Sequence, residues 1–156
     1  LLEVYAEHNE KCRALIGKEY TKSTVTKFDT SINRLKEYIR SCYHRDDIML
    51  AELDGQFIRD FDFWLKTEKH CQNNSALKHL KNLKKVVRIA LANDWIKKDP
   101  FYGIHFKQEE VNVEFLSREE LDILMNKEFA IQRLEQVRDI FVFCCFTFVA
   151  LINITL

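Results

Sequence analysis

Hydrophobic residues recur at intervals of three and four along most of the chain, a spacing that predicts amphipathic α-helices. The first helix is expected from Leu1 to Ile16, because Gly17 follows as a helix stop. The second is expected from about Ser23 to Arg40, with threonine and serine hydroxyls at its start as capping groups. The core face of this second helix is predicted to consist of Val25, Phe28, Ile32, Leu35 and Ile39.

Two more helices are predicted before the single proline. The third follows a polar loop, has Asp54 as its N-cap and ends near Lys69. Its core face consists of five large side chains: Phe57, Ile58, Phe61, Trp64 and Leu65. The fourth runs from about Asn74 to Asn93 and stops before Pro100, because a proline disfavours helical geometry at the residue that precedes it. Its core face consists of Leu77, Leu80, Leu83, Val87 and Leu91.

A connector separates these four helices from the last part of the chain. Val111 and Val113 alternate with polar residues there, which is consistent with an extended segment. Ser117 is followed three residues later by Glu120, ahead of an apolar run. This is the signature of a capping box, so a fifth helix is expected to begin there. A last helix is expected to begin near Arg133.

The chain ends in a long apolar stretch. From Ile140 to Ile152, thirteen residues include only one polar side chain, Thr147. The stretch could be a membrane anchor or a buried helix of a domain that the chain does not complete. A membrane-spanning helix needs about 20 apolar residues, and Asn153 interrupts this run. We therefore interpret it as a buried helix, and we expect it to expose an apolar surface where its neighbours are missing.

Composition narrows the fold class and the chemistry. With 3 glycines and 1 proline in 156 residues, the chain lacks the turn residues that sheets need, so an all-α fold is expected. The formal net charge is zero, so the overall electrostatics indicate no partner. The 5 cysteines form no CxxC pair, and neither a metal-ligand spacing nor a glycine-rich phosphate loop occurs. We therefore expect reduced thiols and neither a metal nor a cofactor.

One surface of the fourth helix carries the strongest functional signal. Four cations recur there at spacings of 3, 4 and 3: Lys78, Lys81, Lys85 and Arg88, the basic row. Asn74 extends this row toward the start of the helix. On an α-helix these positions share an arc of about 80° beside the buried face. The helix contains no acidic residue that could neutralise the row. Periodicity alone leaves two interpretations open, a solvated face or a surface for a phosphate backbone.

Four stretches of the chain resemble, in the same order, the tyrosine recombinase (phage integrase) family, especially the Bacteroides-type integrases of mobile elements. They are "YTKSTVTKFDTSINRLKEYI", "LAELDGQFIRDFDFWL", "NSALKHLKNLKKVVRIALANDWIKKDPF" and "FLSREELDIL". The first three resemble helices of the family's core-binding domain, and the fourth resembles the start of its catalytic domain. The likeness covers nearly the whole chain, which no single motif would do.

The resemblance implies a four-to-five-helix core-binding (SAM-like) bundle at residues 1–108, a linker at 109–115 and the first helices of a truncated catalytic domain at 116–156. The bundle would grip double-stranded DNA at a crossover half-site during DNA integration, together with other recombinase protomers in a synaptic tetramer. The implied DNA contacts, mostly to phosphates, are Thr24, Lys27, Asn74, Lys78, Lys81, Lys85 and Arg88. A bacterial, cytoplasmic, nucleoid-associated protein is implied, with neither a membrane nor a small-molecule substrate as a partner.

Catalysis in this family uses a tyrosine nucleophile and arginines that stabilise the charge on the phosphorane. The first of these arginines is expected within "TFVALINI", where Phe148 replaces the usual glycine and Ala150 occupies the arginine position. We therefore expect this chain alone to cleave no DNA, so that no covalent adduct forms on a suicide half-site. The alternative function, from a different class, is a helical protein-interaction domain that does not bind nucleic acid.

Overall fold

A computed structural model describes residues 1–110 and 114–147. These two ranges contain no β-strand and six α-helices: α1 (Leu2–Ala14), α2 (Lys22–Tyr38), α3 (Gly55–Thr67), α4 (Asn73–Ala92), α5 (Arg118–Met125) and α6 (Gln132–Thr147). A π-helical turn, Ile39–Tyr43, continues α2, and a 3₁₀ turn, Leu50–Glu52, precedes α3. The expectation of an all-α fold is confirmed.

The chain divides into two compact units, Leu1–Glu110 and Val111–Leu156. The first unit contains α1 to α4, and the second contains α5 and α6. Val111 and Val113, for which an extended segment was expected, lie outside the described residues.

The helix starts follow the capping signals in the sequence. Thr21 precedes α2, and its hydroxyl oxygen accepts a hydrogen bond of 3.2 Å from the backbone N–H of Thr24. At the start of α3, the Asp54 carboxylate accepts a hydrogen bond of 2.8 Å from the N–H of Phe57. The capping box of α5 is complete, because Ser117 and Glu120 each accept a hydrogen bond from the other's backbone N–H. These caps pair backbone donors that the start of a helix leaves unsatisfied: one each at α2 and α3, and two at α5.

The predicted core faces of α2, α3 and α4 are buried in the first unit. All five predicted residues of α2 and all five of α3 are buried, as are four of the five on α4, while Leu91 is half-buried. Tyr38 joins α2 to α3, because its ring centroid lies 5.1 Å from that of Phe61 and 5.5 Å from that of Trp64. Aromatic contacts of this kind add to the free energy gained from burial alone.

The end of α3 differs from the expectation. The helix ends at Thr67, earlier than the predicted position near Lys69. His70 has a positive φ of 50°, and the backbone N–H of Cys71 bonds to the carbonyl of Leu65 at 3.0 Å. This left-handed turn satisfies a terminal carbonyl of α3 and reverses the chain toward α4.

In the second unit, α5 and α6 pack against each other. Neither helix has a fully buried residue in its described part. Phe143 and Phe146 on α6 are 55% and 47% exposed, so this helix presents an apolar surface. Residues 148–156, with Phe148 and Ala150, lie outside the described part of the chain. No helix within 1–110 and 114–147 is both long and apolar enough to cross a membrane.

Candidate nucleic-acid interface

A groove lies between α2 and α4, and it is open to solvent. Five of the seven residues expected to contact DNA line it: Thr24 and Lys27 from α2, and Lys78, Lys81 and Lys85 from α4. The other two, Asn74 and Arg88, are on α4 outside this lining. The structure therefore brings the start of α2 and most of the basic row to one surface.

Core packing explains why the lysines face this groove. On α4, Leu77, Leu80 and Val87 are at most 3% exposed and hold one face of the helix against the rest of the unit. Positions one residue away from these core residues lie about 100° around the helix axis, at the edge of the buried face. Lys78 and Lys81 are such positions, so their ammonium groups are exposed beside the packed face.

The cations at this surface lack acidic partners. Within residues 1–110 and 114–147, no carboxylate forms an ion pair with Lys27, Arg88 or the three groove lysines of α4. Several cations elsewhere in the same unit are paired: Arg13 with Asp29 at 3.0 Å, and Arg34 and Lys69 with Glu37. Because these cations form no ion pair in the described residues, they give the groove a local excess of positive charge in a chain whose net charge is zero.

An aromatic ring forms part of the groove floor. Phe28 is 3% exposed, and its ring is held from below by Val25 and Cys12, with which it forms a small hydrophobic cluster. The ammonium nitrogen of Lys85 lies 4.5 Å from the centroid of this ring. That distance is within the range of a cation–π interaction. Lys85 is thus oriented by α2 although it belongs to α4.

Three uncharged polar side chains complete the floor. The Asn82 amide donates a hydrogen bond of 2.9 Å to the hydroxyl oxygen of Ser31, and that oxygen lies 2.9 Å from Nδ1 of His79. Burial, together with the positive charge of Arg34, holds the pKa of the His79 imidazole below its usual value. The ring is therefore neutral near pH 7, and the groove combines a charged rim with a neutral floor.

Asn74 has an unexpected partner. Its side-chain Nδ2 donates a hydrogen bond of 2.8 Å to the carbonyl of Glu109, and its Oδ1 accepts one of 2.9 Å from the N–H of the same residue. Asn73 donates a bond of 2.9 Å to the carbonyl of Lys107. Lys81 also contacts this segment, since its ammonium nitrogen lies 3.3 Å from Oε1 of Gln108. Helical periodicity gave no signal for these contacts, which join positions about 30 residues apart in sequence.

Other kinds of site are not assembled. In the described ranges there is no group of three or more His, Cys, Asp or Glu residues that could hold a metal ion. The five cysteines are all free, and only Cys12 is buried.

Comparison with known proteins gave one match. A family model described as the phage integrase SAM-like domain matches residues 1–118. That range includes the whole first unit and both helices that form the groove. Neither the search of curated proteins nor the search of solved structures returned a significant match.

Proposed function

The chain belongs to the phage integrase SAM-like domain family, the core-binding domain of tyrosine recombinases, and on this premise we propose that the groove between α2 and α4 binds double-stranded DNA. In this proposal the domain grips a crossover half-site during site-specific recombination, beside further recombinase protomers on the same DNA. The single observation that supports it most strongly is the placement of cations from two helices around one groove with no carboxylate partner in the described residues.

The groove suits a sugar-phosphate backbone in shape and in charge. A concave surface with cations along its rim receives a convex, anionic ridge, and Lys27 faces the α4 lysines across the groove. Each lysine that reaches a phosphate releases condensed counterions, which is the main source of affinity in such contacts. Arg88 continues the same row beyond the groove. Contacts of this kind position the duplex and do not select a base sequence.

Thr24 and Asn74 are the two uncharged members of the proposed set. The Thr24 hydroxyl lies 3.0 Å from that of Thr21, near the first turn of α2, and a hydroxyl there can donate to a phosphate oxygen. Asn74 is already hydrogen-bonded to Glu109, so a DNA contact through its amide requires that partner to move.

The domain roles follow from the same proposal. Residues 1–108 act as the core-binding domain, 109–115 as a linker and 116–156 as the beginning of a catalytic domain. In this proposal the complete recombinase cleaves the DNA strand, and the residues described in the structure bind DNA without taking part in the cleavage. The proposed location is the bacterial cytoplasm, in association with the nucleoid.

A salt titration tests DNA binding directly. Fluorescence anisotropy of a labelled duplex of mixed sequence is measured with the chain at several salt concentrations. Five cations, namely Lys27 and the basic row, predict a slope of log K against log salt of about −4.5, taking about 0.9 per phosphate contact. Affinity should then decrease about 500-fold between about 50 and 200 mM salt. A helical protein-interaction domain predicts no binding or a flat salt dependence.

A matched pair of charge reversals locates the site. Lys81→Glu with Lys85→Glu should weaken binding to all duplexes and reduce the slope by about 2, because two phosphate contacts are lost. The control is Lys97→Glu with Lys98→Glu, which changes the net charge equally at two exposed lysines outside the groove. The control should keep the wild-type slope. An equal loss in both variants would show that the groove is not the binding surface.

A further inference from the structure

A short segment just before the boundary between the two units is attached to the start of α4. It consists of residues 107–109, which we call the clasp. Four hydrogen bonds attach it: one from Asn73, two with Asn74 and one from Lys81. The two bonds with Asn74 use both the N–H and the carbonyl of Glu109. A single side chain thus pairs both main-chain polar groups of Glu109, as a residue on a neighbouring β-strand would do.

The residues before the clasp are also held in place. Ile104 and Phe106 are half-buried and pack against the main hydrophobic core, and the Phe106 ring lies 6.3 Å from that of Phe101. This packing directs the chain along α4 toward Asn73. The position of the clasp is thus determined by apolar anchors as well as by hydrogen bonds.

The clasp engages two residues of the proposed DNA surface. Asn74 bonds to the main chain of the clasp at Glu109, and Lys81 bonds to the side chain of Gln108. Lys81 also lines the groove. The bonds at Glu109 place an acidic residue beside the first turn of α4, and Glu110 follows it. Lys107 offsets the charge of Glu109 within the clasp, so the competition is for polar groups. A phosphate at this end of the basic row would draw the Lys81 ammonium away from Gln108 and the Asn74 amide away from the main chain of Glu109.

We propose that the clasp is an intramolecular competitor of DNA, which is displaced from Asn74 and Lys81 when a phosphate binds at the start of α4. This inference rests on the proposed DNA binding and adds a regulation of that same site. By linkage, a clasp that binds α4 more tightly lowers DNA affinity, and bound DNA loosens the clasp to the same extent. Because the clasp directly precedes Glu110, DNA binding would release the chain that leads out of the first unit.

Two substitutions at one position test the competition in opposite directions. Gln108→Glu replaces the neutral amide acceptor of the Lys81 ammonium by a carboxylate, so the bond becomes an ion pair and the clasp should tighten. Gln108→Ala removes the contact and should loosen it. The control for added charge is Asn33→Asp, an exposed position on α2 outside the groove lining. DNA affinity should decrease in the order Gln108→Ala, wild type, Asn33→Asp, Gln108→Glu, with the last about two- to fivefold below the control.

Amide hydrogen exchange of the full chain supplies a second readout. The N–H of Glu109 should exchange faster when a mixed-sequence duplex is added, because its bond to Asn74 opens. Equal affinities of Gln108→Glu and Asn33→Asp, or unchanged or greater protection of Glu109 in the complex, would overturn the competition while leaving DNA binding intact. If the wild-type chain binds no duplex at low salt, both the proposed function and this inference fail.

Discussion

Lys78 and Lys85 form a matched pair, because they lie two helical turns apart on the same exposed face of α4. Neither pairs with a carboxylate in the described residues, and both line the groove. They differ in one contact: the Lys85 ammonium lies 4.5 Å from the centroid of the buried Phe28 ring, and no such ring is found at Lys78 in the described structure. Changing each lysine to alanine therefore separates its effect on stability from its effect on DNA binding.

The expected difference in stability follows from that contact. A cation–π interaction at an exposed site stabilises by about 0.5–1 kcal/mol. The change in helix propensity from lysine to alanine is small and equal at two interior positions, so it cancels in the comparison. Lys85→Ala should therefore lower the free energy of unfolding by about 0.5–1 kcal/mol relative to Lys78→Ala. In DNA binding the two variants should behave alike, since each reduces the salt slope by about 0.9.

Urea unfolding followed by tryptophan fluorescence measures the first quantity. The chain has 2 tryptophans, Trp64 and Trp95, and both lie in the first unit, so the signal reports unfolding of the unit that contains the groove. The anisotropy titration gives the second quantity. In a Phe28→Leu background, the stability difference between Lys78→Ala and Lys85→Ala should disappear, because the ring is absent in both.

Two results would refute this reasoning. Equal free energies of unfolding for the two variants in the wild-type background would mean that the Lys85–Phe28 contact does not stabilise the fold. A salt slope that changes for only one of the two lysines would mean that they do not occupy equivalent places on a phosphate backbone.

Two further predictions concern the groove floor and a helix cap. The pKa of His79 in the folded chain lies below its value in the unfolded chain. Below about pH 6.5 the unfolded chain therefore binds a proton that the folded chain does not, and the free energy of unfolding should decrease as the pH falls. His79→Gln should flatten urea unfolding profiles between about pH 6.5 and 5, and a variant profile as steep as that of the wild type would contradict this. Asp54→Ala should lower the free energy of unfolding by about 1 kcal/mol, because the N–H of Phe57 loses its partner, while Asp54→Asn should stay near the wild type. An alanine variant as stable as the asparagine variant would show that the cap contributes nothing.

The approximate positions of the helices and the buried faces of α2, α3 and α4 were predictable from the sequence. Both depend on residues within about four positions of each other. Such short-range relations follow from local geometry: the 3.6-residue period of a helix, capping hydroxyls and carboxylates, and turns that reverse the chain. The buried faces of α2 and α3 and the caps at Asp54 and Ser117 are confirmed for this reason. The basic row was visible for the same reason, because its members are spaced by one turn on one helix.

Contacts between distant positions were decided by tertiary packing. Lys85 meets Phe28, His79 meets Ser31 across 48 positions, and Asn74 meets Glu109 across 35. No periodicity relates such pairs, because the packing of α2, α4 and the segment after Phe101 determines which side chains come together. The sequence alone therefore determined which residues form a cationic face. Only the tertiary structure decided that this face is one wall of a groove, and that the chain's own clasp is bound at its end.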